Sequence, residues 1–123
     1  MKRILVVDDD INYSNSLKNI LNMKNFEVDV IANPFVVEKY LENNRPDCIL
    51  LDFKMPGLNG IELLQRIKKR LPEIPIIVIS AVELKYMKVN PLQVGASTYI
   101  EKPFELNELL EAILSVTQQK LNH

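Results

Sequence analysis

Short runs of consecutive apolar residues alternate along this chain with longer stretches in which apolar residues recur every three or four positions. Ile4 to Val7 and Cys48 to Leu51 show no alternation of faces, which suits strands covered on both sides in a parallel sheet. The same reading gives strands at Arg3 to Val7, Phe26 to Ile31, Cys48 to Leu51 with Asp52 ending the run, Ile74 to Ile79 ending in Ser80, and Ser97 to Glu101. Helical spacing fills the intervals. One apolar face carries Tyr13, Leu17, Ile20 and Leu21, a second Val37, Tyr40 and Leu41, a third Ile61, Leu64, Ile67 and Leu71, and the last Leu106, Leu109, Leu110, Ile113, Leu114 and Thr117. On these patterns Tyr13, Ile20 and Leu114 are core residues. Strands and helices alternating in this way describe a doubly wound α/β domain.

Punctuation residues set the boundaries. Asp10 or a neighbour can cap the first helix, and Asn25 is placed for a left-handed stop after it. Asn33-Pro34 reads as N-cap and first helical residue, Arg45-Pro46-Asp47 breaks that helix, and Pro56-Gly57 and Asn59-Gly60 turn the chain into a helix from about Gly60 to Arg70. Between Ser80 and Gly95 a helix would have to contain Pro91, which lacks an N–H and clashes with the carbonyl four residues back. Asn90-Pro91 instead fits a cap and first position, so the segment is expected to hold a one-turn stub from Pro91, preceded by a mobile loop through Lys85 and Lys88.

Composition narrows the function classes. The 123 residues fit one domain, and 15 basic against 16 acidic residues give a net charge of -1, which favours neither nucleic acid nor an anionic membrane. Met1-Lys2-Arg3 leads into only Ile4 to Val7 before three aspartates, too short for a signal sequence or a membrane span. The single Cys48 sits inside an apolar strand, a core thiol of a reducing compartment. The expected location is the cytoplasm.

The polar residues fall in one place. Asp8 and Asp9 end the first strand, Asp52 the third, Ser80 the fourth and Lys102 the fifth, so all point to the carboxyl edge of the sheet, where ligands of open α/β sheets gather. Carboxylates brought together repel unless a cation lies among them, and Mg²⁺ is commonly held by one or two carboxylates, waters and a phosphate. Lys102 adds a compact positive charge and Ser80 a hydroxyl donor. These groups describe an aspartate that accepts a phosphoryl group, with Asp52 as nucleophile.

Val6-Val7-Asp8-Asp9, Leu50-Leu51-Asp52 with Met55-Pro56-Gly57 and Gly60, Ile79-Ser80-Ala81 and Lys102-Pro103-Phe104 resemble the sequence blocks of response regulator receiver domains, in order and spacing, over essentially the whole chain. The resemblance implies a flavodoxin-like three-layer sandwich, a five-stranded parallel sheet of order 2-1-3-4-5 and a single receiver domain over residues 1–123. It implies Asp52 as phosphoacceptor; Asp9 as a direct Mg²⁺ ligand, with Asp8 and the main-chain carbonyl of Lys54 completing the set; Ser80 and Tyr99 as switch residues; Lys102 as the phosphate-binding lysine; and a cis bond before Pro103. The implied partners are a sensor histidine kinase or histidine phosphotransfer protein upstream and a downstream protein or covalently linked effector, with no direct contact to nucleic acid or membrane.

Each residue also has a plainer reading. Asp8 to Asp10 fit a solvated turn and helix cap, Ser80 a hydroxyl bonded to its own backbone, Tyr99 edge packing, and the Lys102-Pro103 bond a trans peptide; only the conjunction favours the chemistry. Two other functions share the scaffold. A flavin carrier would need a phosphate-cradling loop where this chain has Asp8-Asp9-Asp10, and an aspartate-based phosphatase would need a positioned acid or base, whereas the one histidine, His123, is the last residue. The chain is therefore expected to be a switch with slow self-dephosphorylation. Lys54 could shield the acceptor from water, and Val82 offers that water no polar group, so a long-lived phosphoryl group is expected.

Overall fold

A computed structural model describes residues 1–53 and 58–118. Five strands, β1 (Lys2–Val7), β2 (Phe26–Ile31), β3 (Cys48–Phe53), β4 (Ile76–Ser80) and β5 (Thr98–Glu101), form one parallel sheet in the order β2-β1-β3-β4-β5. Four α-helices, α1 (Ile11–Met23), α2 (Val37–Asn43), α3 (Leu58–Arg70) and α4 (Leu106–Gln118), cover it. Alternate residues of each strand feed two separate cores. Leu5, Val7, Ile49, Leu51, Ile76 and Val78 meet Val37 of α2 and Ile61, Leu64 and Ile67 of α3. Ile4, Val6, Cys48, Leu50, Ile77 and Ile79 meet Leu17 and Leu21 of α1 and Leu109 and Ile113 of α4. This two-sided burial is why the strands read as continuous apolar runs.

Most of the predicted punctuation is in place, but Asn59-Gly60 makes no turn: it lies inside α3, which begins at Leu58, two residues before the expected start, and the Pro56-Gly57 turn falls outside the described residues. Asp10 caps α1 by accepting from the Tyr13 N–H, Asn25 takes φ 70° after the helix, and Asn33 accepts from the Phe35 N–H. Asn33-Pro34 opens a 3-10 turn, Pro34–Val36, and the α-helix proper begins only at Val37. β4 begins at Ile76 rather than Ile74, because Ile74 is still tied to the end of α3 through its N–H to the Leu71 carbonyl. β5 starts at Thr98, one residue after the predicted Ser97.

No α-helix lies between β4 and β5; two 3-10 turns, Leu84–Tyr86 and Pro91–Val94, occupy the interval. Asn90 caps the second by accepting from the Leu92 N–H, with Pro91 in the first position, as the sequence indicates. Gly95 closes it at φ 120°, and a Cβ there would stand 2.7 Å from Cγ of Lys68. The first turn was not anticipated from the sequence. At the amino edge of the sheet, Lys2 Nζ donates to Thr117 Oγ1 at 2.9 Å, joining the start of β1 to the last turn of α4.

Three core expectations need correction. Ile20 and Leu114 are each 40 % exposed, because the apolar stripe of each helix is wider than its contact with the sheet. Tyr13 is half-buried and does pack against the core on the α1–α4 side, but core packing is only part of its surroundings, since Lys102 lies over its ring.

Candidate functional site

β3 runs one residue further than its apolar run, so Asp52 is its penultimate residue and Phe53 its last. Phe53 is held under the first turn of α3, where a Cβ on Gly60 would come within 2.8 Å of its ring. The Asp52 side chain is only 4 % exposed, and Lys102 Nζ stands 2.5 Å from its Oδ2. Its Oδ1 is buried and has no hydrogen-bond partner among the described residues. Burial pushes the Asp52 carboxyl up from 3.8 to about 6; the bond and charge of Lys102 pull it down, and the nearby Asp8 pushes it up further.

The three aspartates after β1 divide into three roles. The pairing of Val7 with Leu51 brings Asp8 alongside Asp52, and Asp8 is 2 % exposed. Its Oδ1 accepts from the Asp10 N–H at 2.9 Å, which closes the turn into α1. Asp9 faces solvent on the rim, and Asp10 is the helix cap. The structure thus brings Asp8 and Asp52 together, with Asp9 exposed next to Asp8. Among the described residues no three His, Cys, Asp or Glu side chains converge as a ready cation site. Lys54, Met55, Pro56 and Gly57 lie outside the described residues, so the implied carbonyl ligand of Lys54 does too.

Lys102 follows β5, and its N–H donates to the Ser80 carbonyl at 2.8 Å, anchoring the lysine to the end of β4. Its ammonium lies 4.5 Å from the centroid of the Tyr13 ring. The Lys102-Pro103 bond is cis. Ser80 is fully buried, and its Oγ accepts from the Val82 N–H at 3.0 Å, the local backbone turn of the plainer reading. The Tyr99 hydroxyl donates to the Val82 carbonyl in a short bond. Burial raises the Tyr99 pKa, a bond with the Ser80 side chain lowers it, and the Glu101 charge raises it. Two residues along the same face of β5, Glu101 Oε1 accepts from the Leu84 N–H at 3.3 Å and so caps the first 3-10 turn.

Sequence reasoning missed Tyr13 and Glu101. For Tyr13 a signal existed: the third residue after the cap of a helix that leaves the carboxyl edge must flank that edge. Glu101 meets Leu84 only through the fold.

The cluster fits a hard divalent cation. Asp8 and Asp52 are adjacent carboxylates, the Oδ1 of Asp52 lacks a protein partner among the described residues, and Asp9 stands on the rim beside them.

The family model "Response regulator receiver domain" matches residues 4–114. The chain is 37 % identical over 108 residues to the response regulator MprA of a Mycobacterium species (strain KMS), covering 88 % of this chain and 47 % of that protein. It is 37 % identical over 121 residues to the response regulator ArlR of Staphylococcus haemolyticus, covering 98 % of this chain and 54 % of the relative. The chain therefore spans about half the length of these curated relatives. Among solved structures, a CheY-like receiver domain protein of Methanospirillum hungatei superposes with a TM-score of 0.87 at 33 % identity, covering 100 % of this chain and 99 % of that one. The response regulator TrrA of Thermotoga maritima, solved with Mg²⁺ and BeF, gives 0.82 at 32 % identity, covering 94 % and 99 %. The relatives are response regulators rather than flavodoxins, which sets the flavin alternative aside.

Proposed function

Because this chain belongs to the response regulator receiver domains of two-component systems, signalling switches rather than classical enzymes, we propose that Asp52 accepts a phosphoryl group from a phosphohistidine. The observation that carries this reading is the state of Asp52 itself: a buried carboxylate with Lys102 on one oxygen and no hydrogen-bond partner among the described residues on the other. Oδ1 attacks phosphorus, the P–N bond of the donor breaks as the P–O bond forms, and the leaving imidazole keeps the electron pair and takes up a proton. The nucleophile must be ionised, and with its pKa at about 6 Asp52 is largely so at neutral pH. The Lys102 ammonium, already at the carboxylate, neutralises charge on the transferring group.

Receiver domains in general depend on Mg²⁺. Here Asp8 and Asp52, with Asp9 and the carbonyl of Lys54 as the further ligands, would hold that ion, which supplies charge neutralisation at the phosphoryl oxygens.

The switch follows from the bonds around Val82. A phosphoryl group adds about -1.5 to -2 charges and three acceptor oxygens. Ser80 Oγ then has a stronger partner than the Val82 N–H, and when it turns to donate, the Val82 backbone loses one of the two side-chain bonds that flank it. Tyr99 holds the other, through the Val82 carbonyl. Displacement of Val82 therefore reaches Tyr99 and the face of β5.

The donor in this reading is a sensor histidine kinase or histidine phosphotransfer protein. The reader is a downstream protein or a covalently linked effector, and the receiver itself contacts neither nucleic acid nor membrane. We place the exchange in the cytoplasm, in keeping with the buried thiol of Cys48. Dephosphorylation is slow in this proposal, since Val82 offers no polar side chain to orient water and Lys54 is the shielding residue; Lys54→Asn is expected to shorten the phosphoryl lifetime. Acetyl phosphate should add one phosphoryl mass in the presence of Mg²⁺ and none without it. Labelling that persists in Asp52→Ala would refute the acceptor assignment.

A further inference from the structure

We propose that Tyr13 is a positioning residue for Lys102, its ring face holding the lysine ammonium beside the acceptor carboxylate. The inference rests on the reading of Asp52 as phosphoacceptor and adds a residue to it. A lysine side chain has four rotatable bonds, and Lys102 follows the last residue of β5, where sheet packing does not fix it. Even so its side chain is only 26 % exposed, and among the described residues its ammonium lies against two groups: Asp52 Oδ2 at 2.5 Å and the Tyr13 ring centroid at 4.5 Å. The ring comes from the first turn of α1. Its backbone is fixed in turn by the Asp10 cap, with the Tyr13 N–H at 3.1 Å from Asp10 Oδ1.

An aromatic face suits this place for a chemical reason. When the phosphoryl group arrives, the ammonium must shift from the carboxylate oxygen towards the phosphoryl oxygens. A carboxylate in the position of the ring would compete for the ammonium, and an aliphatic side chain would leave it to its own rotamers. A π face attracts a cation through its quadrupole without a localised charge or a fixed hydrogen-bond direction. It therefore confines the ammonium to the site while leaving it free to slide between two anions.

The experiment compares Tyr13→Phe, which keeps the ring, with Tyr13→Leu, which keeps apolar bulk but loses it. A small donor, acetyl phosphate with Mg²⁺, is used so that loss of a protein contact through α1 cannot imitate the effect. The Leu variant is expected to take up the phosphoryl group about fivefold to tenfold more slowly, with Phe near the parent rate. Adding Tyr13→Leu to Lys102→Met should change nothing further, because the ring then has no cation to hold. A second readout needs no donor: the ¹³C relaxation of Lys102 Cε, which reports how firmly the ammonium is held beside the ring. The Lys102 side chain should become more mobile in Leu and stay as ordered as in the parent in Phe. A parent rate and an equally ordered Lys102 in Leu, a Phe variant as slow as Leu, or an undiminished Leu effect without Lys102 would each overturn the role of Tyr13. Failure of the parent chain to be phosphorylated at all would instead strike the acceptor reading, and the relaxation would still report on the contact.

Discussion

On the β1–β3 side of the carboxyl edge, Asp8 and Asp52 are carboxylates buried on central strands, with Lys102 brought against one of them. On the β4–β5 side, Ser80, Tyr99 and Glu101 spend their polar atoms on the backbone of one short segment, Val82 to Leu84. The first side keeps charge where it is costly and offers one carboxylate oxygen with no hydrogen-bond partner among the described residues. The second is satisfied, but by bonds of a kind that can be exchanged one at a time. In the proposed function, affinity for a phosphoryl group would thus reside on the first, rigid side, and the capacity to change shape on the locally bonded side.

The largest test of this contrast removes the charge that serves the rigid side. Lys102→Met is expected to slow phosphoryl uptake by about two orders of magnitude, the scale for losing one group that stabilises developing charge; stopped-flow rates with a small donor would show it. A loss of less than threefold would mean that the buried carboxylate acts without its lysine.

The next prediction sharpens the claim that Asp52 is held at a cost. Its pKa in the fold, about 6, lies above the ordinary 3.8. Its ionisation therefore lowers stability progressively as pH rises from the unfolded value through the folded one. Asp52→Asn, which cannot ionise, should be more stable than the parent by ~2–3 kcal/mol at pH 7.5 without divalent cations, and the gap should close as pH falls towards 4. Denaturant midpoints across that range decide it. A gap that widened at low pH would reverse the sign and the argument.

A smaller effect belongs to the other side. Gly95 occupies φ 120° with Lys68 Cγ 2.7 Å from the place of a Cβ. Gly95→Ala should cost ~1–2 kcal/mol by thermal unfolding, and the loss should shrink when Lys68 is shortened to Ala. The smallest is Glu101→Ala, which removes the side-chain acceptor of the Leu84 N–H. Amide exchange at residues 84–86 should speed up a few-fold in that variant, with phosphoryl uptake unaltered. Equal uptake defects in Glu101→Ala and Lys102→Met would erase the division between the two sides.

Sequence reasoning reached the rigid side well because its signals are local. A strand buried on both faces must be apolar at every position, so an aspartate at its carboxyl end stands out, and Asn25, Asn33 and Asn90 mark turns through their own side chains. Pro91 showed in the same way that the fourth helix would be missing. The exchangeable side was less legible. The 3-10 turn Leu84–Tyr86 depends on Glu101, which lies beside it only once β4 and β5 have paired. Helical spacing put Tyr13, Ile20 and Leu114 on an apolar stripe. It does not say how far the sheet beneath that stripe extends, so one of the three proves to sit against Lys102 and two to face solvent.

The bond between Lys2 and Thr117 sets both ends of the described chain at the amino edge of the sheet. The six residues of β1 separate that edge from the aspartates, a distance of roughly 20 Å at ~3.3 Å per residue. Salt at cellular strength screens exposed charges beyond about 8 Å, so in the proposed function news of a phosphoryl group would reach whatever is tethered to either end chiefly as mechanical displacement through the domain, or be read directly from the far rim.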